Sequence, residues 1–154
     1  MNIEKIKSSL QDLIYRLQDA EKGYREIRMT SSNDSFNSWL DLYAEERRKM
    51  AESLEAEMKK LGGNPVVTDT FLGEMHRILI NLKLNLTSSE NEFPVIVDEI
   101  ERGASTLIDD YQKILSDVEM PPQLVTILMD QKLLVKNELG TLTSLRDKLN
   151  KVEA

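Results

Sequence analysis

The chain has 154 residues, 40% of them hydrophobic and 31% charged, with a formal net charge of −7 and no cysteine. Length and apolar content suit a single domain over residues 1–154 with its own core, not a disordered chain. The acidic balance excludes a general nucleic-acid surface, which needs clustered Lys and Arg, and the lack of cysteine excludes disulfides, thiolate metal sites, iron–sulfur clusters and thiol catalysis.

From the first residues, "MNIEKIKSSLQDLIYRL" is charged and periodic, without the apolar core of a signal peptide. No run of about 18 apolar residues follows that could span a bilayer. The expectation is a soluble, cytoplasmic protein that uses neither membrane nor nucleic acid.

Ile3, Ile6, Leu10, Leu13, Leu17, Ala20, Tyr24 and Ile27 recur at steps of three and four, which predicts a first long helix with one apolar stripe. "TSSNDS" supplies breakers and a capping residue. The spacing resumes at Phe36, Leu40, Tyr43, Arg47, Met50, Leu54, Met58 and Leu61, and "LGGNP" ends this second helix through its glycines and Pro65. A shorter third helix is predicted from Leu72, Met75, Leu79, Leu82 and Leu86. Pro94 opens a fourth, with stripe Val97, Ile100, Ala104, Leu107, Tyr111, Ile114 and Val118. After "MPPQ" the last stripe runs Leu124, Leu128, Gln131, Val135, Glu138, Leu142, Leu145, Leu149 and Val152. The predicted fold is all-α: an up-and-down four-helix bundle of the long helices, with the third as a shorter crossover helix.

Polar residues on stripes that ought to be apolar carry the functional reading, because an unpaired buried charge costs several kcal/mol. Arg47, Gln131 and Glu138 lie in the stripes; Glu21 and Glu101 lie one residue off, on the inward flank. Measured from the turn between the first two helices, Glu21 falls roughly 12 Å down, Arg47 and Glu138 roughly 18 Å, and Glu101 about 10 Å. A core polar layer of Glu21, Arg47, Glu101 and Glu138 is therefore expected, with Gly103 of "EIERG" allowing close helix approach beside it. Three carboxylates against one guanidinium leave two negative charges in excess, which a divalent cation, protonation or water could take up. Glu21, Glu101 and Glu138 are thus the candidate metal ligands. No cofactor is otherwise expected: the chain has one histidine, His76 in "GEMHR" beside Arg77, and lacks the Glu-x-x-His pairs of di-iron carboxylate bundles. His76 reads as a packed or capping residue. No catalytic residue is indicated, since phosphate loop, Ser/His/Asp trio and nucleophile elbow are all missing from the sequence.

Tyr24, Tyr43 and Tyr111 sit on apolar stripes and are expected to be buried with bonded hydroxyls, with Trp39 a half-buried anchor at the end of a loop. Apolar residues on more than one face of the third helix (Ile78, Ile80 and Leu84 beside Leu79 and Leu82) suit a dimer contact or another protein partner.

"DLIYRLQDAEKGY", "LGGNP", "GEMHR", "EIERG" and the late Lys136, Asn137 and Leu145 to Asp147 together resemble a bacterial ferritin-like four-helix-bundle family of unknown function. The resemblance covers nearly the whole chain and implies a ferritin-like fold with no known enzymatic activity. Family members often read Glu-Arg-Gly-Glu where this chain has Ala104, and often place a His-Asp pair at Glu138 and Leu139. A family metal site would thus be poorer in this chain. The preferred reading is a non-enzymatic bundle of structural or stress-associated role, the rival a carboxylate bundle binding Fe, Mn or Mg.

Overall fold

The computed structural model describes residues 1–66 and 92–153. Among them are four helices and no strand: α1 (Ile3–Thr30), α2 (Asp34–Lys60), α3 (Glu92–Asp117) and α4 (Pro122–Glu153). These answer to the first, second, fourth and fifth helices predicted from periodicity. The predicted third helix, with His76 and Arg77, lies outside the described residues.

Each boundary has a local cause. Asn2 and Asn33 cap α1 and α2, their side-chain oxygens accepting from the backbone N–H of Lys5 and Phe36 at 3.1 and 2.9 Å. Glu4 and Asp34 occupy the positive N-terminal turns, and Arg28, Lys59 and Lys60 the negative C-terminal ones. Between α1 and α2 only three residues remain, and Asn37 Nδ2 ties them down by donating to the Ser31 carbonyl at 3.1 Å. "LGGNP" closes α2 as a Schellman motif: Gly63 N–H donates to Met58 O and Gly62 N–H to Lys59 O, both at 3.0 Å. Gly62 holds φ at +79°, the left-handed region that L side chains avoid.

α1 packs most extensively on α2, and α3 on α4; the two pairs then meet through α2 with α4 and α1 with α3. One apolar cluster joins Ile6 to Leu17 of α1, Met50 to Met58 of α2, Ala104 to Tyr111 of α3 and Leu124 to Val135 of α4. A second, at the α1–α2 turn, joins Tyr24, Ile27, Phe36, Trp39 and Leu40 to Ile96, Val97 and Ile100 at the start of α3 and Leu142 late in α4. This membership fixes chain direction: α3 begins beside the α1–α2 turn and ends, with α2, at the opposite end.

Two glycines should respond in opposite directions. Gly62→Ala forces a Cβ into the left-handed region and should lower stability by about 1 kcal/mol. At Gly140, inside α4, an added Cβ meets no atom within 4 Å, so Gly140→Ala should raise stability by about 0.5–1 kcal/mol. Urea unfolding of both variants checks the pair of signs.

Candidate functional site

The buried stripe of α4 reads Leu124, Leu128, Gln131, Val135, Glu138 and Leu142, alternating steps of four and three. Two of the six are polar, spaced by seven residues, and so stand two turns apart on one face, about 10 Å. Each is met by a tyrosine hydroxyl and by α2.

The upper node is charged. Arg47 and Glu138 are each 1% exposed, with Nη2 of the guanidinium 2.5 Å from Glu138 Oε2. Tyr24 O–H donates to Glu138 Oε1 at 2.8 Å, and the guanidinium lies over the Tyr24 ring, 5.9 Å from its centroid. That distance suits a cation–π contact. Both carboxylate oxygens therefore face donors, an arrangement that favours the ionised form of the pair. Burial pushes the Glu138 carboxyl above its ordinary range, opposed by Arg47 and by the Tyr24 hydrogen bond. Burial also works against charge on Arg47, but Glu138, Tyr24 and Tyr111 outweigh it and hold the guanidinium above its usual value. The pairing is end-on and not forked. Arg47 Nη1 reaches Met50 Sδ at 3.7 Å, and Nε has no hydrogen-bond partner among the described residues.

The lower node is neutral. Tyr111 O–H donates to Gln131 Oε1 at 2.6 Å, and Gln131 Nε2 donates to the Met50 carbonyl of α2 at 3.1 Å. A third contact belongs to α4's upper half: Trp39 Nε1 donates to Thr141 Oγ1 at 3.0 Å, and that hydroxyl donates to the Glu138 carbonyl at 2.7 Å. Trp39 is thereby buried, 7% exposed, where a half-buried anchor was expected. Tyr24 and Tyr111 are buried as anticipated; Tyr43 is only half-buried, its hydroxyl 3.1 Å from Thr141 Oγ1.

Of the four residues assigned to the layer from sequence, Arg47 and Glu138 come together and Glu21 and Glu101 do not. Glu21 pairs with Arg25 one turn along α1, at 2.9 Å. Glu101 pairs with Arg146 at 3.2 Å, and the same arginine also holds Asp98. Both carboxylates stay on the partly exposed flank because a surface arginine reaches them there, whereas the seam is filled by Tyr24, Ile100 and Ala104. The three candidate ligands thus sit in three separate ion pairs, and no group of three or more His, Asp or Glu residues able to hold a metal occurs among the described residues. Gly103 does not mediate close helix approach either, since a Cβ built there has no neighbour within 4 Å.

Reading the sequence missed that the two tyrosines belong to the polar nodes; their heptad-like coincidence with Glu138 and Gln131 was visible only as burial. It also missed a crevice between α1 and α3. Its floor is made by Tyr24, Arg47, Ile100, Ala104 and Leu107, and the signal for it was the small pair Gly103–Ala104 where a larger residue would have filled the gap.

Helices alone, a shared core and an interior built on an ion pair define the described residues as an all-α protein. The family follows from comparison: residues 5–117 match the family described as Domain of unknown function (DUF2383), and the chain belongs to it. A comparison with curated proteins found no match. The matched stretch takes in α1, α2 and α3 with Tyr24, Arg47 and Tyr111, and stops before α4. No helix among the described residues is long and apolar enough to cross a membrane.

Arg47→Met strands the Glu138 charge and should cost about 3–5 kcal/mol at neutral pH. The sign of its pH dependence is set by Glu138, whose folded-state pKa already lies above the unfolded value of 4.5 and rises further without Arg47. The folded variant keeps its proton where the unfolded chain loses it, so the deficit is smallest in acid and grows as pH rises through the raised pKa. Removing the whole node together (Arg47→Met, Glu138→Leu, Tyr24→Phe) should recover most of the loss. Denaturant titrations at several pH values measure all three effects.

The tyrosines give a second check. Burial, with the Glu138 charge at Tyr24, holds the Tyr24 and Tyr111 phenols well above the ordinary tyrosine value of about 10. Above about pH 10 the unfolded chain sheds protons that the folded state keeps, so stability from these groups is complete below that pH and lost above it. Absorbance at 295 nm should show these two phenols ionising only as the circular-dichroism signal collapses.

Proposed function

We propose that the chain is a non-enzymatic ferritin-like helical bundle with a structural or stress-associated role in the cytoplasm, and that its Glu/Arg layer serves to seat α4. Chain direction supports the ferritin-like part of this reading. α2 and α3 run in the same direction and both finish at the end away from the α1–α2 turn, as the two helices that flank the long crossover of ferritin-like folds do. The acidic, membrane-span-free character of the described helices supports the location.

The observation that carries the non-enzymatic reading is the internal use of Glu138. Both of its oxygens are occupied by Tyr24 and Arg47, while Glu21 and Glu101 are neutralised at the surface. The rival reading, a redox or storage bundle holding Fe, Mn or Mg on these three carboxylates, requires all three ion pairs to open.

A second reading rests on α4. Met129 and Leu133, each 56% exposed and one turn apart, present an apolar strip beside Leu134, which suits a homodimer or another protein partner. The apolar faces of the predicted third helix lie outside the described residues.

Elemental analysis of purified protein, joined to melting curves with and without chelator, tests the first reading. The expected outcome is no stoichiometric metal and an unchanged melting temperature. Stoichiometric iron or manganese that raises the melting temperature overturns it.

A further inference from the structure

Near the α1–α2 turn, α2 and α4 enclose an open groove of about 680 Å³. The start of α2 contributes Ser35 and Trp39 to it, and α4 contributes its outer face from Lys136 to Lys148. Lys136, Lys148, Asn137 and Ser35 are all exposed, and among the described residues none of their side chains has a hydrogen-bond or ion-pair partner. No carboxylate lines the groove, although the chain as a whole carries a charge of −7. Asp34 and Asp147 adjoin Ser35 and Lys148 in sequence but are not part of its lining. The groove is thus a cationic strip on an acidic protein, with its polar groups unused by the fold.

Gly140 is an independent mark of a surface built to be covered. A glycine inside a helix costs stability relative to alanine, and close packing within the chain does not explain it, since a Cβ built there meets no atom within 4 Å. What it provides is a bare stretch of helix in the groove floor, open to the approach of another backbone.

Spacing selects the shape of the occupant. Lys136 and Lys148 stand about 18 Å apart along the α4 axis, with Gly140 and the half-buried Leu145 between them. A compact anion favours one end of such a strip. An extended peptide, rising about 3.3 Å per residue, spans it with acidic side chains about five residues apart, and the Asn137 amide and Ser35 hydroxyl supply both donors and acceptors for its backbone. A nucleic-acid strand, with a phosphate at every nucleotide, finds only two cations here.

We propose that this groove docks an extended acidic peptide segment of a partner protein, with one acidic side chain at Lys136, another at Lys148 and its backbone crossing Gly140. The proposal goes beyond the scaffold reading and does not depend on it.

Trp39, the single tryptophan of the chain, lines the groove and reports its occupancy by fluorescence. The probe is the capped octapeptide Glu-Glu-Ser-Ala-Ser-Ala-Glu-Glu, titrated into the full chain at low salt, where exposed charges are least screened. The expected result is a saturable change in Trp39 emission, weakened about fivefold when Lys136→Gln and Lys148→Gln are combined, because each exposed pair contributes little, and lost in Gly140→Leu, which fills the floor. Neither lysine holds a partner among the described residues, so the double variant should keep the wild-type circular dichroism and melting temperature. No saturable change, equal affinity in the folded lysine variant, equal affinity for the same peptide with Gln in place of Glu, or equal affinity for citrate or an oligouridylate each overturns the proposal. So does self-association of the wild type that the lysine substitutions abolish, which assigns the groove to a second copy of the chain.

Discussion

A guanidinium with 1% of its side chain exposed, in the middle of α2, is the constraint to which the rest of the molecule answers. Arg47 cannot shed its charge, and burying it alone costs several kcal/mol, so the helix opposite must deliver an anion at one height and one rotation. Glu138 does so. Because it lies seven residues beyond Gln131 on the same stripe, fixing Glu138 also fixes Gln131 against Tyr111 and the Met50 carbonyl. α4 is thereby tied to α1, α2 and α3 by side chains that are satisfied at one register only. Sliding α4 by a turn would set Arg47 against Val135 or Leu142 and leave two tyrosine hydroxyls unpaired. Ion pairs of this kind add little net stability over apolar replacements. Their effect is to make the alternatives costly, as a single buried polar residue does in a coiled coil.

How much of this the sequence showed depends on which physical signal each residue carried. The stripes were legible because steps of three and four leave little freedom: Arg47, Gln131 and Glu138 interrupt them, and all three are buried. Equal depth of roughly 18 Å, from a rise of 1.5 Å per residue, was enough to match Arg47 with Glu138. Glu21 and Glu101 lay roughly 6–8 Å higher and one residue off the seam, and one residue is 100° of rotation. At that angle a long side chain can turn either way, and the choice fell to Arg25 and Arg146, whose reach across a surface leaves no trace in apolar periodicity. Trp39 shows the same limit in reverse. Lying off the predicted stripe, it is drawn inward by Thr141, 102 positions along the chain, a contact that local spacing cannot announce.

The crevice escaped for a further reason. A gap between helices is set by what small residues fail to fill, and Ala20 on α1 only becomes a gap when Gly103 and Ala104 of α3 face it. Each is unremarkable within its own helix. Their juxtaposition depends on the rotation of α1 against α3, and the residues that fix this rotation are the apolar seams on either side.

Charge balance then decides what kind of interior this is. In a di-metal carboxylate bundle the core collects several glutamates and two histidines, and a cation supplies the missing positive charge from outside. Here the positive charge is covalent. Arg47 neutralises Glu138 from within the chain, Tyr24 takes the remaining carboxylate oxygen, and no bare carboxylate is left in the layer. A guanidinium differs from a metal ion in one further respect: it has more donor sites than one carboxylate can use, and end-on pairing leaves some of them over. Arg47 Nε and Glu138 Oε2 both lack a hydrogen-bond partner among the described residues, so the node is held by charge and position and not by a full set of hydrogen bonds, which is why it acts on register and adds little net stability.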